Sequence, residues 1–346
     1  GKEIHAEVAR IGLLKVDITV GNALLDMYAK SHLVTLAQEV FDTLPIHNTV
    51  TWNSLITSYA ESGYGQKALS YFHRMREEHR IPDNITFVCI LRSCWSIGAI
   101  GTGQVIHSEI IRYGFWENDI IVGSALLDMY AKHGMLDEAH HVLEKLPSQD
   151  VASWNALISG YVQHECNTAA LHCLERMQST VHICPDIITY ACVLKACGNL
   201  GAKNKGQRLH VEIIKMGSFE KDIVIGNSLI DMYAKCGFLE IAQQVFDGLP
   251  AHNTVMWNAL ISGFNQLGDF HNVLQIFDKM VSENFKPDQV TFLIVLNTCN
   301  QHSLYMRGEK YFDMMKEEYG IVPTLLHHTA IIDLLGGSGQ LIEMTQ

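Results

Sequence analysis

The sequence predicts an all-α fold, a right-handed α-α superhelical solenoid of helix-turn-helix repeats running through residues 1–346. Three observations carry the prediction. Leu25-Asp26-Met27-Tyr28-Ala29-Lys30 returns at 127–132 and, with Ile230 for Leu, at 230–235, offsets of 102 and 103 residues. Trp-Asn at 52, 154 and 257 and Ile/Leu-His at 4, 106 and 209 keep the same offsets. The third is composition: 48% apolar residues with seven prolines suits helices that bury one face against stacked neighbours.

Each superunit divides into three subunits of unequal length. A short type occupies 18–48, 120–150 and 223–253. A standard type occupies 49–83, 151–186 and 254–288, and a long type 84–119, 187–222 and 289–324. Residues 1–17 read as the tail of a long subunit and 325–346 as the start of a short one. Every subunit reads as two helices. In 49–83, Val50, Trp52, Leu55, Ile56 and Tyr59 recur at helical spacing; Gly63 offers a stop. Ala68, Leu69, Phe72 and Met75 then mark a second helix, and Asp83 after Pro82 can cap the next one. Gly134, Gly237 and Gly268 fill the place of Gly63, whereas His32 and Glu165 occupy it in two other subunits. The subunit 151–186 also carries an extra residue.

The net charge of −12 argues against nonspecific nucleic-acid binding, which draws its affinity from phosphate contacts. Any polyanion partner requires basic residues gathered on one face. The nine cysteines contain no C-x-x-C pair and read as small buried apolar groups in a reducing compartment. No apolar run reaches the ~18 residues of a membrane span. The chain opens at Gly1 within a helical pattern, without an initiator Met, and closes at Gln346 mid-pattern, so a longer parent protein is expected.

Two patterns invite a chemical reading. His5-x-Glu7, His107-x-Glu109 and His210-x-Glu212 match half of a zinc-deaminase signature, but P-C-x-x-C is missing. One copy per superunit is how scaffold behaves. Gly336-Gly337-Ser338-Gly339 lacks the Lys-Ser/Thr of a phosphate loop and reads as an interhelix turn. The sequence therefore predicts no catalysis, no metal site and no cofactor.

Three segments resemble pentatricopeptide repeats of the plant type that mixes short, standard and long motifs: 226–250 the short, 153–161 the standard and 188–201 the long. Residues 319–324 and 331–336 resemble the last repeats before C-terminal extension domains, with Gly337 where that pattern usually has Arg. The resemblance implies sequence-specific binding of single-stranded organellar RNA, mitochondrial or chloroplast, one base per repeat. In this subclass the usual task is choosing cytidines for C-to-U editing, with a deaminase in the longer protein or in trans, or with other protein editing cofactors. It further implies that the fifth and last residues of a repeat read the base and the second wedges between bases. Asn22/Asn48 and Asn227/Asn253 then suit a pyrimidine. Asn53/Asp83, Asn155/Asp186 and Asn258/Asp288 suit uridine, and Ser124/Asp150 suits guanosine. Val88, Ala191 and Leu293 in the long repeats cannot hydrogen-bond a base. With the N-terminal repeat at the 5′ end, the expected site is Y-U-n-G-U-n-Y-U-n.

The second-position residues are Thr19, Val50, Ile85, Ile121, Ala152, Ile188, Val224, Val255 and Val290, mostly β-branched and stiff. Lys30, Lys132 and Lys235 stand eight residues after Asn22, Ser124 and Asn227, on the same helix face, where they can contact phosphates. Each assignment has a plainer counterpart. Asn and Asp at helix starts serve as caps, the aliphatics as ordinary packing, and the lysines as solvated charges. The three Trp read as core. Two other functions fit the same architecture: a protein-binding helical scaffold, which suits the acidic charge, and an organellar splicing or stability factor.

Overall fold

Each first helix of the chain begins immediately after an Asn, Asp or Thr, and the backbone shows why. A computed structural model describes residues 1–115, 119–180, 183–217 and 222–337; Ser338, Gly339 and the rest of 338–346 lie outside the described residues. First helices start at Ile18, Thr49, Asn84, Ile120, Val151, Ile187, Ile223, Thr254, Gln289 and Leu325. The preceding Asp or Asn, in extended conformation, accepts a backbone N–H of the first turn in every case from Asp17 to Asp288. Such a cap satisfies a donor that the helix itself cannot. Most hairpin turns then pass through a left-handed residue: Gly63, Gly134, Gly237 and Gly268 have φ of 72–80°. His32 and Glu165 adopt the same conformation at φ 55° and 61° despite their Cβ atoms.

The contacts divide the chain into two units, residues 1–164 and the described part of 165–346. Among the described residues the first contains ten α-helices, from Lys2–Ile11 to Val151–Gln163, and a 3-10 turn at Leu13–Lys15. The second contains ten more, from Asn167–Ser179 to Leu325–Gly337. Among the described residues there is no strand, so the all-α repeat architecture expected from the sequence is the fold observed. Within each unit a first helix packs on the second helix of its own hairpin and on the next first helix. Helix Thr49–Glu61, for example, packs on Gly65–Glu77 and on Asn84–Ser96.

The recurrent aromatic residues anchor this stacking. Trp52, Trp154 and Trp257 are at most 1% exposed. In the first unit Phe41 stacks on His47 at 4.0 Å and meets Trp52 edge-on at 4.8 Å. In the second, Phe246, His252 and Trp257 repeat the cluster at 4.0 and 4.6 Å. Five cysteines, 89, 94, 173, 197 and 299, are buried. Burial pushes the thiols of Cys94, Cys173, Cys197 and Cys299 up to about 11, so they stay protonated. Cys166 and Cys184 depart from the expectation: both are exposed, one at a helix N-terminus and one before Pro185 in a connection.

Candidate nucleic-acid interface

The candidate base-reading residues are the caps and the fifth residues of the first helices, where the repeat places two of them side by side. Asn53 is the fifth residue of its repeat and faces Asp83, the cap of the following first helix. Its Nδ2 donates to both Asp83 carboxylate oxygens, at 2.8 and 2.9 Å. Its Oδ1 accepts the hydroxyl of Thr86 at 2.5 Å. Thr86 N–H in turn donates to Asp83 Oδ1 at 3.0 Å. The same triangle recurs in the second unit, where Asn258 donates to Asp288 at 3.1 Å and accepts from Thr291 at 2.6 Å. Asn22 donates to Asn48 at 3.4 Å and accepts from Thr51 at 2.7 Å.

The remaining assignments vary this theme. Ser124 meets the hydroxyl of Ser153 at 3.1 Å, and Ser153 donates to Asp150 at 2.6 Å. Ser153 has one proton and gives it to the carboxylate, so the Ser124 hydroxyl supplies the other bond. Ser124 then presents lone pairs, next to an acceptor-only carboxylate. Asn155 is buried in the first unit, while Asp186 caps helix Ile187–Leu200 in the second, accepting from Thr189 N–H at 2.8 Å. Asn253 caps helix Thr254–Gln266 through Met256 N–H at 2.9 Å. Among the described residues Asn227 Oδ1 is sealed from solvent without a hydrogen-bond partner.

Capping and facing the reader are thus compatible in one residue. The last residue accepts a helix N–H through Oδ1 and still accepts the reader amide, Asp83 through both carboxylate oxygens and Asp288 through Oδ1. The structure also brings in side chains that the sequence reading missed. Thr51, Thr86, Ser153, Thr189 and Thr291 are fully buried hydroxyls at the third position of their repeats. The recurring Asn/Asp-x-x-Ser/Thr spacing signals them. Asn84 is another: its Nδ2 donates to Asp119 Oδ2 at 2.8 Å, giving the long repeat 84–119 a polar pair despite Val88.

The second-position residues point away from the core. Val50, Ile85, Ile121, Ile188, Val224, Val255 and Val290 are 54–65% exposed, and Thr19 and Ala152 are exposed too. An exposed side chain, in most repeats a β-branched aliphatic, thus recurs two residues after each helix cap.

The three lysines are not free cations. Lys30, Lys132 and Lys235 each bind the Asp four residues earlier, Asp26, Asp128 and Asp231, at 2.7 Å. Those carboxylates lie between reader and lysine on the same helix face, one turn from each. Lys132 also stands over the Trp95 ring at 4.1 Å, and Lys235 reaches Asn199 at 3.4 Å. Any phosphate at these positions competes with a carboxylate.

The His-x-Glu copies are scaffold. His5, His107 and His210 hydrogen-bond through Nδ1 to the hydroxyls of Tyr28, Tyr130 and Tyr233 at 3.1, 2.9 and 2.9 Å. Glu109 pairs with Arg76 at 2.8 Å, and Glu212 accepts from Tyr190 at 3.4 Å. Among the described residues no three His, Cys, Asp or Glu side chains gather as metal ligands.

Comparison with known proteins agrees with this architecture. The profile of the PPR repeat family matches residues 47–96, 149–199 and 252–301, and a PPR repeat profile matches 124–151 and 227–253. A pentatricopeptide repeat-containing protein of Arabidopsis thaliana is 37% identical over 343 residues, covering 99% of this chain and 47% of that protein. A mitochondrial one from the same plant is 36% identical (94% of this chain, 38% of the relative), and a chloroplastic one 38% (88% and 49%). The chain thus spans about half or less of these relatives' lengths. Among solved structures, the pentatricopeptide repeat protein PPR10 in complex with an 18-nt psaJ RNA element superposes with a TM-score of 0.77. It is 18% identical over 92% of this chain and 47% of that one. Profiles and relatives agree across the repeats: this chain belongs to the pentatricopeptide repeat family.

Proposed function

We propose that this chain binds single-stranded RNA one nucleotide per repeat, 5′ end at the N-terminal repeat, in the register Y-U-n-G-U-n-Y-U-n. The observation that carries the reading is the ladder of half-exposed aliphatic side chains beside capped Asn/Asp and Ser/Asp pairs. Stiff β-branched side chains wedge between unstacked bases, and the polar pairs take the Watson–Crick edges that single-stranded RNA exposes. The pairs discriminate by proton bookkeeping. Ser124 and Asp150 together offer acceptors. Guanine presents N1–H and N2–H donors there; adenine presents an acceptor at N1. Asn beside Asp offers one acceptor and one remaining donor, which matches the N3–H and O4 of uracil.

Backbone attraction is weak in this reading. The chain carries −12 overall and its candidate phosphate-binding lysines are paired with carboxylates. Specificity rests on base edges more than on phosphates. The relatives named mitochondrial and chloroplastic support an organellar location. Selection of cytidines for C-to-U editing follows from the likeness to mixed-length repeats, with the deaminating activity supplied elsewhere in the full protein or in trans.

The test is binding across a salt series to two nine-nucleotide RNAs that differ only by G or A opposite Ser124 and Asp150. Readout by these acceptors favours G by about tenfold or more. Ser124→Asn moves the preference toward U. Equal, weak and steeply salt-dependent binding to both RNAs refutes the register. Absence of binding at any salt favours a protein-binding scaffold. The editing assignment is tested by sequencing organellar transcripts from a line lacking the gene. A cytidine beside a matching site stays unedited if the assignment holds.

A further inference from the structure

Six of the repeats carry an Asn or Ser at the fifth position, and what holds that side chain differs among them. Asn22, Asn53 and Asn258 are gripped from two sides. The cap residue accepts Nδ2, and a fully buried threonine of the next repeat, Thr51, Thr86 or Thr291, donates to Oδ1 at 2.5–2.7 Å. The grip fixes which end of the amide is which. A carboxylate only accepts, so Nδ2 must face it, and turning the amide over would set Oδ1 against Asp83 or Asp288. At Asn48 the result is the same. Its Oδ1 already accepts Thr51 N–H at 2.9 Å and so remains an acceptor toward Asn22.

Asn227 provides the contrast within the same chain. The third residue of the following repeat is Met256, which has no hydroxyl. Among the described residues Asn227 Oδ1 has no hydrogen-bond partner, and no bond joins Asn227 to Asn253. The cap itself is intact, since Asn253 still accepts Met256 N–H. What is lost with the hydroxyl is the hold on the amide, not the helix start.

We propose that, within each unit, the third residue of a repeat that follows an Asn reader is a positioning residue for that reader: Thr there makes reading strict, and its replacement by Met256 makes Asn227 tolerant. The proposal rests on the RNA reading above and deepens it. The chemistry follows from the two pyrimidine edges. Uracil offers a donor at N3 and an acceptor at O4; cytosine offers an acceptor at N3 and a donor at N4. The two patterns are reversed, so one amide orientation suits each. A gripped amide has one orientation and separates the bases. An ungripped amide turns over and takes both with little difference. The two Asn/Asn repeats, 18–48 and 223–253, are therefore not equivalent: Asn22 discriminates between the pyrimidines and Asn227 does not.

The experiment measures fluorescence anisotropy of nine-nucleotide RNAs carrying U or C at one position, with the 346-residue chain and three variants. Wild type should separate U from C by about tenfold opposite Asn53 and by less than about twofold opposite Asn227. Met256→Thr should raise discrimination opposite Asn227 at least about threefold, a gain that damage to the fold cannot produce. Thr86→Val should lower discrimination opposite Asn53 by a similar factor, and Thr86→Ser, which keeps the hydroxyl, should restore it. The positioning role is overturned if Met256→Thr leaves C and U equal opposite Asn227, or if Thr86→Val keeps the wild-type ratio. A wild-type chain that does not prefer pyrimidines to purines at these positions refutes the RNA reading itself, a separate outcome.

Discussion

Replacing His32 by glycine should stabilise the first hairpin of the chain, and replacing Gly63 by alanine should destabilise the next one. Both residues occupy the left-handed turn between the two helices of a repeat, His32 at φ 55° and Gly63 at φ 80°. An L-residue there costs about 1–2 kcal/mol through the clash of its Cβ with the backbone. Glycine escapes that cost but loses roughly 0.5–1 kcal/mol more backbone entropy on folding. The difference leaves about 0.5–1 kcal/mol in favour of glycine. His32 is exposed, so little packing is lost with its ring. Gly63 isolates the backbone effect in the other direction, because a Cβ added there meets nothing within 4 Å. Array-wide unfolding of a repeat protein blurs a change of this size, so the assay is native-state hydrogen exchange at the ends of helices Ile18–Lys30 and Thr49–Glu61. Opening of the first should slow about two- to fivefold in His32→Gly, and opening of the second should quicken by a similar factor in Gly63→Ala. If both substitutions move exchange in the same direction, or neither does, the left-handed backbone is not the source of the strain.

Asp128→Asn frees Lys132 from its 2.7 Å ion pair, so RNA binding should strengthen at low salt and the slope of log K against log salt should steepen by about one. An unchanged slope would exclude Lys132 from the phosphate path. Burial holds the imidazoles of His107 and His210 below the ordinary 6.5, with His141 adding repulsion at His107. The unfolded chain therefore takes up protons near pH 6.5 that the folded chain refuses until lower pH. Stability from these groups is whole above pH 6.5 and declines as pH falls below it. Thermal midpoints from pH 8 to 5 should show the decline, and His107→Gln with His210→Gln should flatten it.

The fold was legible because repetition multiplies a weak local signal. One Trp-Asn or one Asp-Met-Tyr-Ala-Lys says little; three at 102 and 103 residues fix a superunit, and helical spacing within each part fixes the hairpins. The left-handed turn at His32 and Glu165 was visible as a missing glycine. The fifth/last pairs came only with the family resemblance, and the hydroxyls that hold the fifth residues were not legible, because those contacts join residues about 30 apart. Asn53 and Thr86 meet only when successive first helices stack, and no local pattern records that meeting. The lysines show the opposite failure. Spacing placed Lys30, Lys132 and Lys235 on the reader face, and the same spacing, read one turn earlier, places Asp26, Asp128 and Asp231 there as well. The sequence holds both halves of each ion pair, so this face is less positive than its lysines alone imply.

Capping also accounts for Asn or Asp at the last position of the repeats that carry Asn or Ser in fifth place. Asp83 must begin helix Asn84–Ser96 through Thr86 N–H before it can face Asn53, and few side chains can do both. Asn and Asp cap about equally well, while alanine costs about 1 kcal/mol at such a site. Under the proposed reading, the residues that read are drawn from those that cap, and the two roles can be separated by substitution. Asp83→Asn should keep the stability of the helix, because Oδ1 still accepts Thr86 N–H, yet it replaces an acceptor facing Asn53 with an amide that can donate. Discrimination between U and C opposite Asn53 should weaken while the thermal midpoint stays within about 1 °C of wild type. Asp83→Ala should lose both, with faster hydrogen exchange in the first turn of helix Asn84–Ser96. If Asp83→Asn costs as much stability as Asp83→Ala, the carboxylate is serving the fold beyond the cap. If it leaves discrimination intact, Asp83 takes no part in reading, and the cap is its whole role.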